Sequence, residues 1–226
     1  MSAAHTVFVA ALISLAIARP ALAQSSDRFS GVFVGVEGGA VSHNTHITFD
    51  GVDDPAGRGS AGFGAFVGYN HTSRRWLIGG EFLVTGASDP DPYTFDPTVV
   101  GFSEFEVRRG VVVSLAFRTG YLVSRQILVY GSVGYAAFTQ SVYVDGRPLE
   151  EFAGGVTDHR VRGIQFGAGL EASVHPRVGL RVAVRWLAGQ ELHASDLGTI
   201  PEDALLTRFD VTPSQQQIFA GLTIRF

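Results

Sequence analysis

Chemistry in this chain has few places to come from. His193-Ala194-Ser195-Asp196 sets a histidine two residues before a serine, the side-chain types of nucleophilic catalysis. Glu37, Glu81 and Glu171 are carboxylates of the kind that serve acid/base chemistry in pairs, but each has candidate arginine partners and no evident substrate cleft. Asp53-Asp54 and Asp89-Pro90-Asp91-Pro92 are rich in oxygen ligands, yet neither has the spacing of a calcium loop, so they read as solvated acidic surface and no metal is expected. Gly167-Ala168-Gly169-Leu170-Glu171-Ala172 matches a loose G-x-G-x-x-A. A strand runs straight through it with no helix start, so a dinucleotide site is not expected. The absence of cysteine removes disulfides, thiolate metal sites and cysteine nucleophiles together. No cofactor is expected.

The elements that must position these residues are bounded first by length and charge. A chain of 226 residues holds one ordinary domain and a targeting segment. The net charge of −4 excludes a general nucleic-acid binder. Lysine is absent, so arginine supplies every fixed positive side chain. Residues 1–23 read as a signal peptide: Val7 to Ile17 is an apolar run, Arg19-Pro20 breaks it, and Ala21-Leu22-Ala23 gives the small-x-small cleavage pattern before Gln24. The run is shorter than the ~20 residues of a membrane-spanning helix. The mature domain is then 24–226.

Past residue 28 the hydrophobic period is two. Eight segments carry it, near 30–42, 59–70, 75–87, 105–122, 126–143, 159–174, 178–191 and 213–226, and almost no helix is expected. Connections alternate: 71–74, 123–125 and 175–177 are short, whereas 43–58, 88–104, 144–158 and 192–212 are long and rich in Asp, Pro and Gly. Short turns on one side and long loops on the other are expected of an up-and-down membrane barrel with its turns in the periplasm.

Each segment has two faces. Ile164, Phe166, Ala168 and Leu170 oppose Gln165, Gly167, Gly169 and Glu171; Leu180, Val182, Val184 and Trp186 oppose Arg181, Ala183 and Arg185. A soluble lipocalin-like barrel would put the apolar set inside and a membrane barrel would put it outside. An eight-stranded barrel has an interior just wide enough for side chains to fill. Trp76, Phe82, Phe117, Phe166, Trp186 and Leu222 cannot all crowd there, whereas Gly, Ala and Ser can. The fold is therefore expected to be all-β, an eight-stranded antiparallel up-and-down transmembrane β-barrel.

On that assignment Glu37, Glu81, Arg118, Glu171, Arg181, Arg185 and Arg225 point inward and must pair, because isolated buried charge is costly. Glu81 is expected with Arg118, and Glu171 with Arg181 or Arg185 on the adjacent strand. Tyr69, Trp76, Tyr121 and Phe226 are expected in a periplasmic aromatic girdle, and Phe138, Trp186 and Tyr135 nearer the outer side.

Several stretches resemble a known family. Gly79-Gly80-Glu81, Phe117-Arg118-Thr119-Gly120-Tyr121, Leu128-Val129-Tyr130-Gly131-Ser132-Val133-Gly134-Tyr135-Ala136 and Leu180-Arg181-Val182-Ala183-Val184-Arg185-Trp186 are similar, in this order, to strands of the porin or opacity-type outer-membrane β-barrel domain family related to OmpA and OmpX. The end resembles that family's C-terminal β-signal, with Gly221, Leu222, Ile224 and the terminal aromatic Phe226. The resemblance implies a Gram-negative cell outer membrane, insertion by the barrel-assembly machinery, lipid and lipopolysaccharide as surroundings, and a monomer.

The leading functional expectation is a non-enzymatic structural or surface-exposed barrel with a filled lumen and long acidic outer loops. One alternative is an outer-membrane lipid A-modifying acyl hydrolase: the His193-x-Ser195 element is similar to one in lipid A deacylase barrels, where the histidine is the base, the serine the nucleophile and an acid orients them. The last strand offers Gln215-Gln216-Gln217 where that carboxylate is wanted. Another alternative is a small-solute pore.

Overall fold

The computed structural model describes residues 28–49, 52–88, 93–94, 104–144, 147–148, 158–189, 192–193 and 209–226; the leader expected over 1–23, with Ala21 and Ala23, lies outside them. All regular structure among the described residues is β-strand. Eight long strands form the wall: β1 (Gly31–Phe49), β2 (Val52–Ser73), β3 (Trp76–Ala87), β4 (Val112–Leu122), β5 (Ile127–Val144), β6 (Asp158–His175), β7 (Val178–Gly189) and β8 (Phe209–Arg225). Each pairs antiparallel with its neighbours in chain order, and β8 closes on β1 from Phe33↔Arg225 to Phe49↔Phe209. Where all eight strands are paired, closure leaves no free edge and the ladder satisfies backbone polar groups without water, while residues 52–60 of β2 extend beyond that ring and pair only with β1 among the described residues.

Register partners taken once around the wall, through Val34, Val67, Phe82, Leu115, Tyr135, Ile164, Ala188 and Ser214, return to β1 at Asn44, ten residues beyond the start. With ~3.3 Å per residue and ~4.8 Å between strands, that stagger tilts the strands by about 40°.

The two faces are inverted relative to a soluble protein. Trp186, Phe166 and Phe117 are 45%, 50% and 53% exposed, while Glu171 and Arg185 are 1% and 3% exposed. Bulky apolar side chains face outward and the ionic ones are sealed within, the arrangement that lipid on the outside requires. An apolar groove of about 460 Å³ lies on that outer wall, lined by Val34, Val36, Ala65, Val67, Phe82 and Leu222.

Three boundaries differ from the sequence reading. The loop expected over 43–58 is mostly paired, since β1 and β2 continue to Phe49↔Val52 and only Asp50-Gly51 connects them. That dipeptide is a strong two-residue hairpin signal. The strand expected over 105–122 is broken: Glu104–Arg109 pairs with the far end of β5, and three residues (Gly110, Val111, Val112) separate Arg109 from Val113 where only two separate Gln140 from Ala137. This one-residue bulge swaps the faces, so Arg108 points outward and Val112 inward. In the last long connection Leu192–His193 pairs with Val211 and Asp210, and β8 begins at Phe209.

Candidate functional site

The lumen is the site. Alternate residues of every strand enter it, and the tilt brings Glu37 of β1, Glu81 of β3, Arg118 of β4, Glu171 of β6, Arg181 and Arg185 of β7 and Arg225 of β8 into one column. All seven are at most 7% exposed.

The contacts alternate in sign along the column. Arg185 donates from both Nη atoms to Glu37, at 2.6 and 2.7 Å. Arg181 lies 3.9 Å from Glu37 and donates to Glu81 at 2.5 and 2.9 Å. Arg118 donates to Glu81 at 2.9 Å and to Glu171 at 3.3 Å, and Arg225 also donates to Glu171. Every carboxylate therefore meets two guanidiniums. Planar forks suit this: two parallel donors fix orientation as well as charge.

Each arginine also lies over a ring. Arg118 sits 4.0 Å above Tyr130 and 5.1 Å from Phe33, Arg181 is 4.2 Å from Phe66, Arg185 is 5.4 Å from Phe219, and Arg225 is 4.6 Å from Phe29. In a desolvated lumen the ring face adds to the carboxylates' attraction. Several rings occupy space that a cross-strand glycine vacates. A Cβ on Gly68 would lie 2.4 Å from Phe33, one on Gly35 2.2 Å from Phe66, and one on Gly169 2.4 Å from Tyr130.

Apolar layers flank the column. Phe29, Leu77, Leu122, Leu128 and Tyr130 fill the short-turn end. Val112, Ala136, Phe138, Val161 and Leu187 fill the lumen toward the long connections. Gln140, Gln165, Gln215 and Gln217 are buried on that side too, with amide atoms that have no hydrogen-bond partner among the described residues.

Against the sequence reading, Glu81 does meet Arg118, but Glu171 meets Arg118 and Arg225 rather than Arg181 or Arg185. Arg181 is the register partner of Glu171, yet its side chain crosses the lumen to Glu81. An extended arginine outreaches the ~5 Å between opposed residues, and β3 stands opposite β7 in an eight-strand ring. Phe138 is 3% exposed and belongs to the lumen, not to an outer girdle. Its position, even-numbered on β5, is the inward face.

Tyr69, Trp76, Tyr121, Tyr135 and Phe226 are outward and exposed, with Trp76 edge-on to Tyr121 at 5.2 Å. The sequence reading did not pick out Phe29, Phe33, Phe66 and Tyr130 as lumen groups. Their parity along the strands was the available signal, obscured by the expectation that aromatics face out.

Leu222, Ile224 and Phe226 face outward, and Gly221 lies where a Cβ would be 2.9 Å from Glu37. His193 is the register partner of Asp210, so an acidic residue occupies the position across from it, five residues before Gln215. Ser195 lies outside the described residues.

A family model described as outer membrane protein beta-barrel domain matches residues 8–203. No curated protein matches the chain in sequence. Among solved structures, Neisserial surface protein A (NspA) is similar at 12% identity over 87% of this chain and 98% of its own, with a TM-score of 0.48. Ail, the attachment invasion locus protein of Yersinia pestis, is 14% identical over 86% and 99%, with 0.43. The outer membrane protease OmpT of Escherichia coli is 10% identical over 86% and 96%, with 0.44.

Proposed function

Because the chain belongs to the outer membrane protein β-barrel domain family and so to the cell outer membrane, we propose that it is a non-enzymatic, surface-exposed structural barrel whose lumen is closed. The observation that carries this reading is the continuous Arg–Glu column packed against rings between two apolar layers. Each of the three carboxylates is held by two guanidiniums, so the ionic groups act as a plug. The short turns then face the periplasm and the acidic long connections face outward, in contact with lipopolysaccharide and whatever the cell meets. Gly221, Leu222, Ile224 and Phe226 serve as the β-signal for the assembly machinery, and the closed wall needs no partner copy. No cofactor or metal takes part.

Planar-bilayer recording of the purified, refolded chain tests this. The expected trace has no steady channel of several nanosiemens. Such a channel would establish the small-solute pore instead.

A second reading has one observation in its favour. Asp210 opposite His193 supplies the acid residue that an acyl hydrolase built on His193 and Ser195 would use. Under the structural-barrel reading, Ser195→Ala and Asp210→Asn leave lipid A acylation unchanged by mass spectrometry of whole membranes. Loss of one acyl chain in cells carrying the native protein, restored by either substitution, would establish the hydrolase.

A further inference from the structure

Charge is distributed unevenly along the barrel axis. Within 43–58, 88–110, 140–162 and 190–212 the sequence has seventeen carboxylate side chains against seven arginines. At the opposite end, the three short turns and the segment entering β1 carry Arg28, Arg74, Arg75, Arg125 and Arg177, with Asp27 as the one acidic side chain in those stretches. Arg74, Arg75, Arg125 and Arg177 are exposed, as are His71 and His175. Among the described residues no salt bridge engages those four arginines.

Two details show that the rim is positioned. Arg75 donates to the Tyr121 hydroxyl at 3.4 Å, and Tyr121 packs edge-on against Trp76, so a guanidinium is held level with the interfacial aromatics. Arg74 has φ of 57° in the two-residue turn closed by Ser73↔Trp76. Glycine or asparagine adopts that left-handed conformation at little cost, whereas a long side chain there is strained. A long cationic side chain held in that conformation at an exposed turn is the kind of backbone outlier that motivates a functional reading.

We propose that this arginine rim docks on anionic phospholipid headgroups of the inner leaflet. The guanidiniums grip phosphate while Tyr69, Trp76, Tyr121 and Phe226 seat at the acyl boundary. The acidic opposite end is repelled by the same headgroups, so the rim also favours one orientation in the membrane. This rests on the membrane-barrel reading with short turns in the periplasm.

Electron spin resonance of the full chain in phosphatidylcholine vesicles, doped with spin-labelled phosphatidylglycerol or phosphatidylcholine, tests the proposal. The expected result is a preference for phosphatidylglycerol of roughly threefold at low salt. It should collapse toward one in ~1 M salt, where the screening length is ~3 Å. It should also collapse in the quadruple variant Arg74→Gln, Arg75→Gln, Arg125→Gln, Arg177→Gln. Arg74→Gly alone should fold at least as well as the native chain yet show reduced preference.

Equal association of the two lipids with a chain that shows heat-shifted gel mobility would overturn the proposal. So would a preference that survives the quadruple variant and vanishes in Arg160→Gln, Arg162→Gln. Binding to isolated peptidoglycan by the rim, with a lipid ratio of one, would assign these arginines to that polymer instead. A native chain without heat-shifted mobility would overturn the barrel reading itself.

Discussion

Glu81 is the residue on which the lumen turns. It accepts from Arg118 and from both Nη atoms of Arg181, and through them it links the Glu37 and Glu171 ends of the column. Removing one partner of a buried pair leaves the other charge stranded, at a cost of about 3–5 kcal/mol. Glu81→Gln strands two. The urea midpoint of the barrel in lipid vesicles should therefore drop sharply, and by clearly more than for Arg225→Gln. Arg225 sits at the end of the column, and its Nε and Nη1 already lack partners, so its loss also relieves the column's single excess positive charge. Equal effects of the two substitutions would show that the column does not act as a unit. At this scale the sequence was legible for identity but only in part for pairing, since Glu81 meets Arg118 as expected and Glu171 does not meet Arg181 or Arg185. Period two put all seven charged residues on inward positions, because parity along a strand is local. Which carboxylate each arginine reaches depends on the lumen's width and on which strands stand opposite one another.

The strands carry a second code in their glycines. Inward Gly169 lies against the buried Tyr130 ring, over which Arg118 sits at 4.0 Å, so the ring cannot easily yield to a new methyl group 2.4 Å from its hydroxyl oxygen. Gly169→Ala should cost about 1–3 kcal/mol as an overpacking change. Outward Gly80 has its nearest neighbour 3.9 Å from a built Cβ, and Gly80→Ala should fall within about 0.5 kcal/mol. Urea titrations of the two variants side by side decide whether the wall is as tight inside as the geometry says; equal midpoints would contradict it. Strand order and most boundaries could be read from alternation and turn residues. The bulge at Gly110-Val111 could not. A one-residue slip leaves the alternation intact on each side, and only pairing with β5 shows that the parity has switched. The extended first hairpin was legible in principle from Asp50-Gly51, but the surrounding Asp, Pro and Gly favoured a loop reading.

The whole molecule behaves as one closed ladder. Opening it anywhere exposes unpaired strand edges to hydrocarbon, so it should resist detergent until heated and then unfold outright. Unboiled and boiled samples from membrane fractions are expected to migrate at different positions on a denaturing gel. Identical migration, with the protein recovered from the soluble periplasm, would contradict membrane residence. The charge imbalance between the two ends belongs to this scale too. It is invisible in a net charge of −4 and appears only when acids and arginines are sorted by the end at which the strands deliver them.

By itself the sequence determined the class of fold, the strand count, the face taken by the seven lumen charges and the need for a salt-bridged interior. All of these follow from a two-residue period, alternating connection lengths and the volume of aromatic side chains. Tertiary structure alone decided that rings as well as small residues fill the lumen, that each arginine is shared between carboxylate and ring, and that Asp210 stands across from His193. Those relations join residues far apart in the chain. They are set by the ten-residue stagger of the closed wall, a property of the ring of strands that no single strand contains.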